Sequence, residues 1–268
     1  MIRPWRILCG VAIAIYAFMF APIVITATVS FNAQNQSRFP PSGFSLRWWA
    51  EAIDPRWIEP IVFSLKLATL SAAAATLLGL PMAFALVRYR FPGRSLLSLL
   101  ALSPLMLPAL VTGIGLLQFL QLAGLNDWLG LPALVAGHIV ICMPFAVRTI
   151  AISLSGLPGN LENAAMSLGA RHGMTLWTVT LPLIKGGIFA GATFAFVQSF
   201  TDYSMSLFLA NAESLPIPIM ILNYIEFGFT PTLAAIAVIT LMIPLILVLI
   251  VQRAFKIGDF LYSAPSHG

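Results

Sequence analysis

Charged side chains are scarce: Asp, Glu, Lys and Arg supply 9% of the 268 residues, where a soluble domain carries about 25%. That scarcity excludes a water-soluble globule. Cysteine is limited to Cys9 and Cys142, too few for a disulfide framework. Cys9 lies at the start of the first apolar run, the wrong order for a lipoprotein anchor, and both read as lone buried thiols. His138 has only Cys142, one helical turn on, at ligand spacing, short of the set of ligands a metal site needs. No Gly-x-x-x-x-Gly-Lys-Ser/Thr string occurs, so the chain has no loop to cradle nucleotide phosphates. A convergent Ser-His-Asp set or carboxylate pair is also missing, leaving an enzyme reading without support.

What the chain does have is apolar length. Hydrophobic residues make up 59%, with a mean hydropathy of +0.95. Runs long enough to cross a hydrocarbon core of ~30 Å fall at about Ile7–Val29, Ile61–Val87, Leu96–Leu122, Leu131–Ile152, Gly187–Ala210 and Leu233–Val251. The expectation is an all-α integral membrane protein with six transmembrane helices. The first run is too long for a signal-peptide core and lacks an obvious small-residue cleavage site, so it reads as retained.

The net charge of +5 is distributed by topology and forms no patch suited to nucleic acid. Arg3, Arg6, Arg88, Arg90, Arg94, Arg148, Arg171, Lys185, Arg253 and Lys256, ten of the fourteen basic residues, flank one side. By the positive-inside rule that side is cytoplasmic, and both termini lie there, the tail being residues 252–268. Seven of the nine acids fall on the other side with Arg38, Arg47, Arg56 and Lys66; Lys66 and Arg148 are near enough to helix ends to snorkel.

Residues 1–60 comprise the first helix and a long external segment. Within the latter, Leu46, Trp49, Ala50 and Ile53 recur at helical spacing and predict a short interfacial helix, packing on the bundle or docking a partner. In the third span Pro104 and Pro108 each remove a backbone donor, so a kinked or broken helix is expected, with a pathway role or simple packing both open. Asp202 is placed some fifteen residues into the fifth span, with Gln198 one turn below and Tyr203 adjacent. An acid beside an aromatic ring suits an organic cation on a translocation pathway; solvation near the outer interface, or pairing with a base of a partner chain, are the other readings.

One patterned polar island separates two apolar runs. Pro158-Gly159 breaks the chain, Asn160 is a candidate N-cap, and Glu162 falls in a first helical turn, where the macrodipole favours an acid. A short helix over about Leu161–Leu168 should end at Gly169 in a left-handed residue, and a second, from about Thr175, should stop before Pro182. The alanines Ala164 and Ala165 leave no bulk, so the helix could seat deeply in another protein's groove.

Asn163-Ala164-Ala165, three residues, Gly169, nine residues and Val179-Thr180-Leu181-Pro182 resemble the cytoplasmic EAA loop of binding-protein-dependent ABC importer permeases. The strings Phe39–Trp49, Ser103-Pro104 with Pro108, Ser199–Asp202 and Tyr224–Gly228 resemble the spermidine/putrescine permease branch. The resemblance implies a type I importer permease fold, with a core at 61–251 and a coupling loop at about 153–186. Glu162, Asn163, Ala164, Ala165, Leu168, Gly169 and Ala170 would couple to the ATPase. It also implies an ABC ATPase dimer carrying ATP and Mg²⁺, a second permease of a different sequence, an external solute-binding protein and a bacterial inner-membrane location. This chain itself would bind no cofactor. One departure matters: Asn163 stands where the family has Glu, and Glu162, ~100° away on a helix, cannot simply replace it, so coupling would rest on packing more than on an ion pair.

Two other classes stay open. An ion-coupled secondary transporter would favour internal repeats, of which none is clear; an intramembrane enzyme would need a catalytic set. Within the importer class, iron(III), phosphonate or opine-like cargo competes with polyamines.

Overall fold

A computed structural model describes residues 4–255. Arg3, Lys256 and the tail expectation beyond 255 lie outside them. Long helices dominate: α1 Pro4–Val29, α3 Pro55–Arg88, α6 Leu131–Ser155, α9 Leu181–Thr201 and α12 Pro231–Phe255. Between them come α2 Arg47–Glu51, α4 Arg94–Leu102, α5 Ala109–Leu122, α7 Gly159–Ser167, α8 His172–Thr175, α10 Ser206–Leu209 and α11 Ile217–Ile225. Five helical runs are long and apolar enough to span a membrane, and the bent run Arg94–Leu105 with Ala109–Leu122 makes up to six. Among the described residues the β structure is a single isolated bridge, Asn32 to Phe44.

The expected break in the third span is a 105° bend. Pro104 is the second residue of a 3-10 turn, Ser103–Leu105, and Pro108 sits extended ahead of α5, at ψ 128°, where its missing donor leaves no gap in a helical ladder.

The chain divides into two compact units, one drawn from 1–61 with 219–243, the other from 62–218 with 244–268. In the first, the interfacial helix differs from expectation. It is only five residues long, and its buried side chain is Trp48, whose indole N–H donates to the Asn32 carbonyl at 2.6 Å; Leu46 and Ile53 face outward. Trp49, the next residue, is half-buried and stacks on Phe31, while its indole nitrogen is buried without an acceptor. Asn32 is itself buried, its amide oxygen accepting from the Ser42 backbone N–H and hydroxyl and its amide nitrogen donating to Gln36 O.

In the second unit α6 and α9 pack along their length through small residues. A Cβ on Gly187 would collide with the Ser153 side chain, and one on Gly191 would lie 3.3 Å from the Ala146 Cα. Leu67, Leu134, Ile141 and Met205 form one cluster of the core, and Val147, Ile150, Leu154 and Ile184 another.

The fifth span is displaced from its expected position. Helix runs from His172 to Thr201 without a stop before Pro182, so both the expected stop and the 187–210 window are corrected. Leu176–Thr180 forms a π turn ahead of α9. Its wider i→i+5 bonding accommodates the missing Pro182 donor, so the proline falls in α9's first turn.

Candidate functional site: a clamped loop and a capped helix break

The polar island folds as two helices around a tight turn. Pro158, not Asn160, is the N-cap of α7, and no side-chain cap bond forms. At the other end Gly169 has φ 93°. Ala170 N–H donates to Ala165 O at 3.1 Å and Gly169 N–H to Met166 O at 3.0 Å, the paired bonds of a Schellman motif. Nothing lies within 4 Å of where a Gly169 Cβ would stand, so its backbone angle, and no lack of room, calls for glycine.

The helix α7 has two faces. Glu162, Ala165 and Met166, at i, i+3 and i+4, are half-buried; Asn160, Asn163, Ala164 and Ser167 face solvent, and Leu168 just beyond is 91% exposed. The inward face is held by charge. Arg88, the last residue of α3, has Nε 3.2 Å from Glu162 Oε2, and its Nη2 donates to Glu162 Oε1 at 3.3 Å and to Leu157 O at 3.3 Å. The Thr180 hydroxyl donates to the same Oε1 at 3.0 Å. One carboxylate thus ties together the end of α3, the loop helix and the π turn leading into α9. A cavity of about 390 Å³ opens beside it, lined by Tyr89, His172 and Thr175 among others.

At the far end of α9 the helix stops at Thr201, so Asp202 lies just past the helix and not fifteen residues into a span. Its backbone is extended at ψ 124° and its side chain is buried. Asp202 Oδ2 accepts from the backbone N–H of Met205 at 2.9 Å and of Ser206 at 3.2 Å, capping α10. His138, on α6, bridges the break: Nδ1 meets Ser199 Oγ at 2.7 Å and Nε2 meets Ser206 Oγ at 3.0 Å. The Ser206 hydroxyl donates to the Asp202 carbonyl at 3.2 Å, so at Nε2 it accepts from the ring N–H. Gln198 and Tyr203 flank the break half-buried, Pro104 is half-buried and Pro108 exposed. On α5, Gly113 lets segment 204–208 approach closely: a Cβ there would lie 3.0 Å from the Phe208 ring.

Of the residues singled out in the sequence, Glu162 and Ala165 share the inner face of α7, while Asn163 and Ala164 share the outer. Arg88, Thr180, His138, Ser199 and Ser206 were not singled out as site residues. Arg88 and Glu162 lie 74 residues apart and neither carries a local signal of the other. Among the described residues no group of three His, Cys, Asp or Glu side chains could hold a metal ion.

A family model described as the binding-protein-dependent transport system inner membrane component matches residues 75–256. The spermidine/putrescine transport system permease protein PotC of Escherichia coli (strain K12) is 33% identical over 246 residues, 91% of each chain. The putrescine transport system permease protein PotI of the same strain is 30% identical over 244 residues, 89% of this chain and 86% of that one. Among solved structures, a chain of a bacterial ABC transporter that imports the acidic polysaccharide alginate superposes with a TM-score of 0.70 at 17% identity, covering 94% of this chain and 96% of that one. At that identity the likeness speaks for the fold alone.

Proposed function

We propose that this chain, which belongs to the family of binding-protein-dependent transport system inner membrane components, links the closing of an ATPase dimer to the passage of a polyamine such as spermidine or putrescine. The chain is a permease subunit of an ABC importer, an all-α multi-pass protein of the inner membrane. The finer assignments that follow are ours. The ATPase, with its ATP and Mg²⁺, docks on the outer face of α7, where Asn163 and Ala164 are exposed and Leu168 projects. Loop 153–186 and both termini face the cytoplasm. A second permease of different sequence completes the pore through the membrane, and an external solute-binding protein delivers cargo.

The observation that carries this reading is the clamp of Arg88, Glu162 and Thr180. A docked partner that moves α7 as a rigid body would pull on the ends of α3 and α9 together, because a largely buried ion pair is costly to break. Motion of α9 reaches its other end at Asp202, where Oδ1 accepts no hydrogen bond among the described residues. That oxygen is left for a passing cation, with Tyr203 and Gln198 beside it. The resemblance to two polyamine permeases supports the cargo class.

Proteoliposomes holding the complete importer provide the test, with spermidine uptake and ATP hydrolysis measured together. Uptake should require internal ATP and the external binding protein. Uptake driven by an ion gradient without ATP would overturn the coupling, and ATP-driven uptake of an anion but not of spermidine would overturn the cargo assignment.

A further inference from the structure

The groove between α4 and the ends of α3 and α6 takes no part in the clamp. It holds a cavity of about 280 Å³ whose walls include Leu86, Leu102 and Ile152, and whose one ionised lining residue is Arg148. Arg148 is exposed and has no ion-pair partner among the described residues. Arginine does not shed its proton in proteins, so this charge, seated in an apolar span, calls for an anion or for water. Arg148 lies seven residues before Ser155, the last residue of α6, which sets it ~10 Å from the helix end, within a long side chain's reach of headgroup level.

The two helix faces agree with each other. Arg148, Ile152 and Ser155 recur at i, i+4 and i+7 on α6, and Ser98 and Leu102 at i and i+4 on α4. Ser98 donates no side-chain hydrogen bond to any described residue, and Arg94, one turn before it on α4, is exposed. A cationic fork and a spare hydroxyl therefore line one otherwise largely aliphatic groove.

We propose that this groove binds one anionic phospholipid, its phosphate held by the Arg148 guanidinium and the Ser98 hydroxyl and its acyl chain running from there past Leu102 and Val147, away from the helix ends that carry Leu86 and Ile152. Guanidinium matches phosphate geometry through two parallel donors. A free phosphate would leave the aliphatic walls uncovered, and a zwitterionic lipid would bring its own cation beside Arg148 and Arg94. The inference needs only the membrane location of the chain and is independent of the cargo.

The test uses the purified importer complex in nanodiscs of phosphatidylcholine with and without phosphatidylglycerol. Lipid retained after detergent transfer is counted by native mass spectrometry. Phosphatidylglycerol should be retained in preference to phosphatidylcholine, and Arg148→Gln should lower retention about tenfold, as expected for loss of a charged hydrogen bond. Arg148→Lys should keep part of it. Leu102→Trp, which fills the groove and leaves the charge, should lose retention too; if Arg148→Gln fails to assemble, unchanged retention in Leu102→Trp overturns the proposal. It is equally overturned if Arg148→Gln retains lipid like the parent, if both lipids are held alike, or if inorganic phosphate alone displaces the lipid. Crosslinking of a cysteine at Ile152 to the second permease would show a protein in the groove and overturn it as well.

Discussion

Glu162 Oε2 lies 3.2 Å from Arg88 Nε, joining the loop helix α7 to the end of α3 across 74 residues of sequence. The side chains are about a fifth exposed, 23% and 20%, so the pair is neither a solvated surface contact nor a fully desolvated one. Glu162→Gln and Arg88→Gln should each lower uptake while leaving ATP hydrolysis in place. The double variant should be no worse than the poorer single one, because the two residues act as a unit. Independent, additive losses would show that they do not form one coupling element.

Gly169 is expected to resist any residue with a Cβ. Holding a left-handed angle costs an L-residue about 1–2 kcal/mol, and a β-branched residue suits it least. Gly169→Val should uncouple ATP hydrolysis from uptake with normal membrane insertion, and Gly169→Ala should do so more weakly. The ratio of solute moved to ATP consumed is the measurement; an unchanged ratio in the Val variant would remove this loop from the coupling.

At Asp202 substitution can separate the observed cap of Met205 and Ser206 from the proposed contact with cargo. Asp202→Asn keeps an oxygen to cap Met205 and Ser206 but removes the charge, whereas Asp202→Ala removes both. The Asn variant should assemble normally and lose polyamine uptake severely, with the external binding protein still capturing substrate. The Ala variant should in addition lose about 1 kcal/mol of stability, the usual worth of a cap, read as a lower melting temperature of the complex. Unchanged uptake in Asp202→Asn would make the carboxylate a structural cap only.

Gly187 tests the packing of α6 on α9. A Cβ at that position would strike the Ser153 side chain, so Gly187→Ala should destabilise the subunit by about 1–3 kcal/mol. Ser153→Gly should recover part of the loss. No recovery in the double variant would mean that the helices do not meet there.

Topology is open to direct labelling. Single cysteines at Gln34 and at Gly93, both exposed, should react with an impermeant reagent from opposite sides of the membrane. Reaction of both from outside would invert the cytoplasmic placement of the loop.

The number and order of spans were legible because ~20-residue apolar runs have few other uses. The broken third span was legible because two prolines only four residues apart, Pro104 and Pro108, disfavour an unbroken helix between them, and Gly169's turn because its chemistry is local. The fifth span was misplaced: Pro182 reads as a helix boundary unless a π turn precedes it, and nothing in Leu176–Thr180 announces one. That shift also moved Asp202 from mid-span to a helix end. The Arg88–Glu162 clamp and the His138 bridge were illegible for a different reason, since each joins residues more than 60 apart and one sequence carries no sign of such pairings. The one-residue offset between Glu162 and Asn163 was legible as a rotation. Its consequence was not, because only the fold reveals a cation on the inner side.

The π turn at Leu176–Thr180 also sets a phase. Upstream, the Thr180 hydroxyl must point at Glu162; downstream, Gly187 and Gly191 must point at α6. An uninterrupted α-helix advances about 100° per residue, and one residue accommodated in a wide turn offsets everything beyond it by that amount. Deleting a single residue between 176 and 180 would therefore leave composition and hydropathy almost untouched while aiming either the hydroxyl or the glycine stripe at the wrong neighbour. The spacing between the loop helix α7 and the membrane helix α9 is in this sense an angular setting, and insertions or deletions there should be tolerated only when they restore the angle.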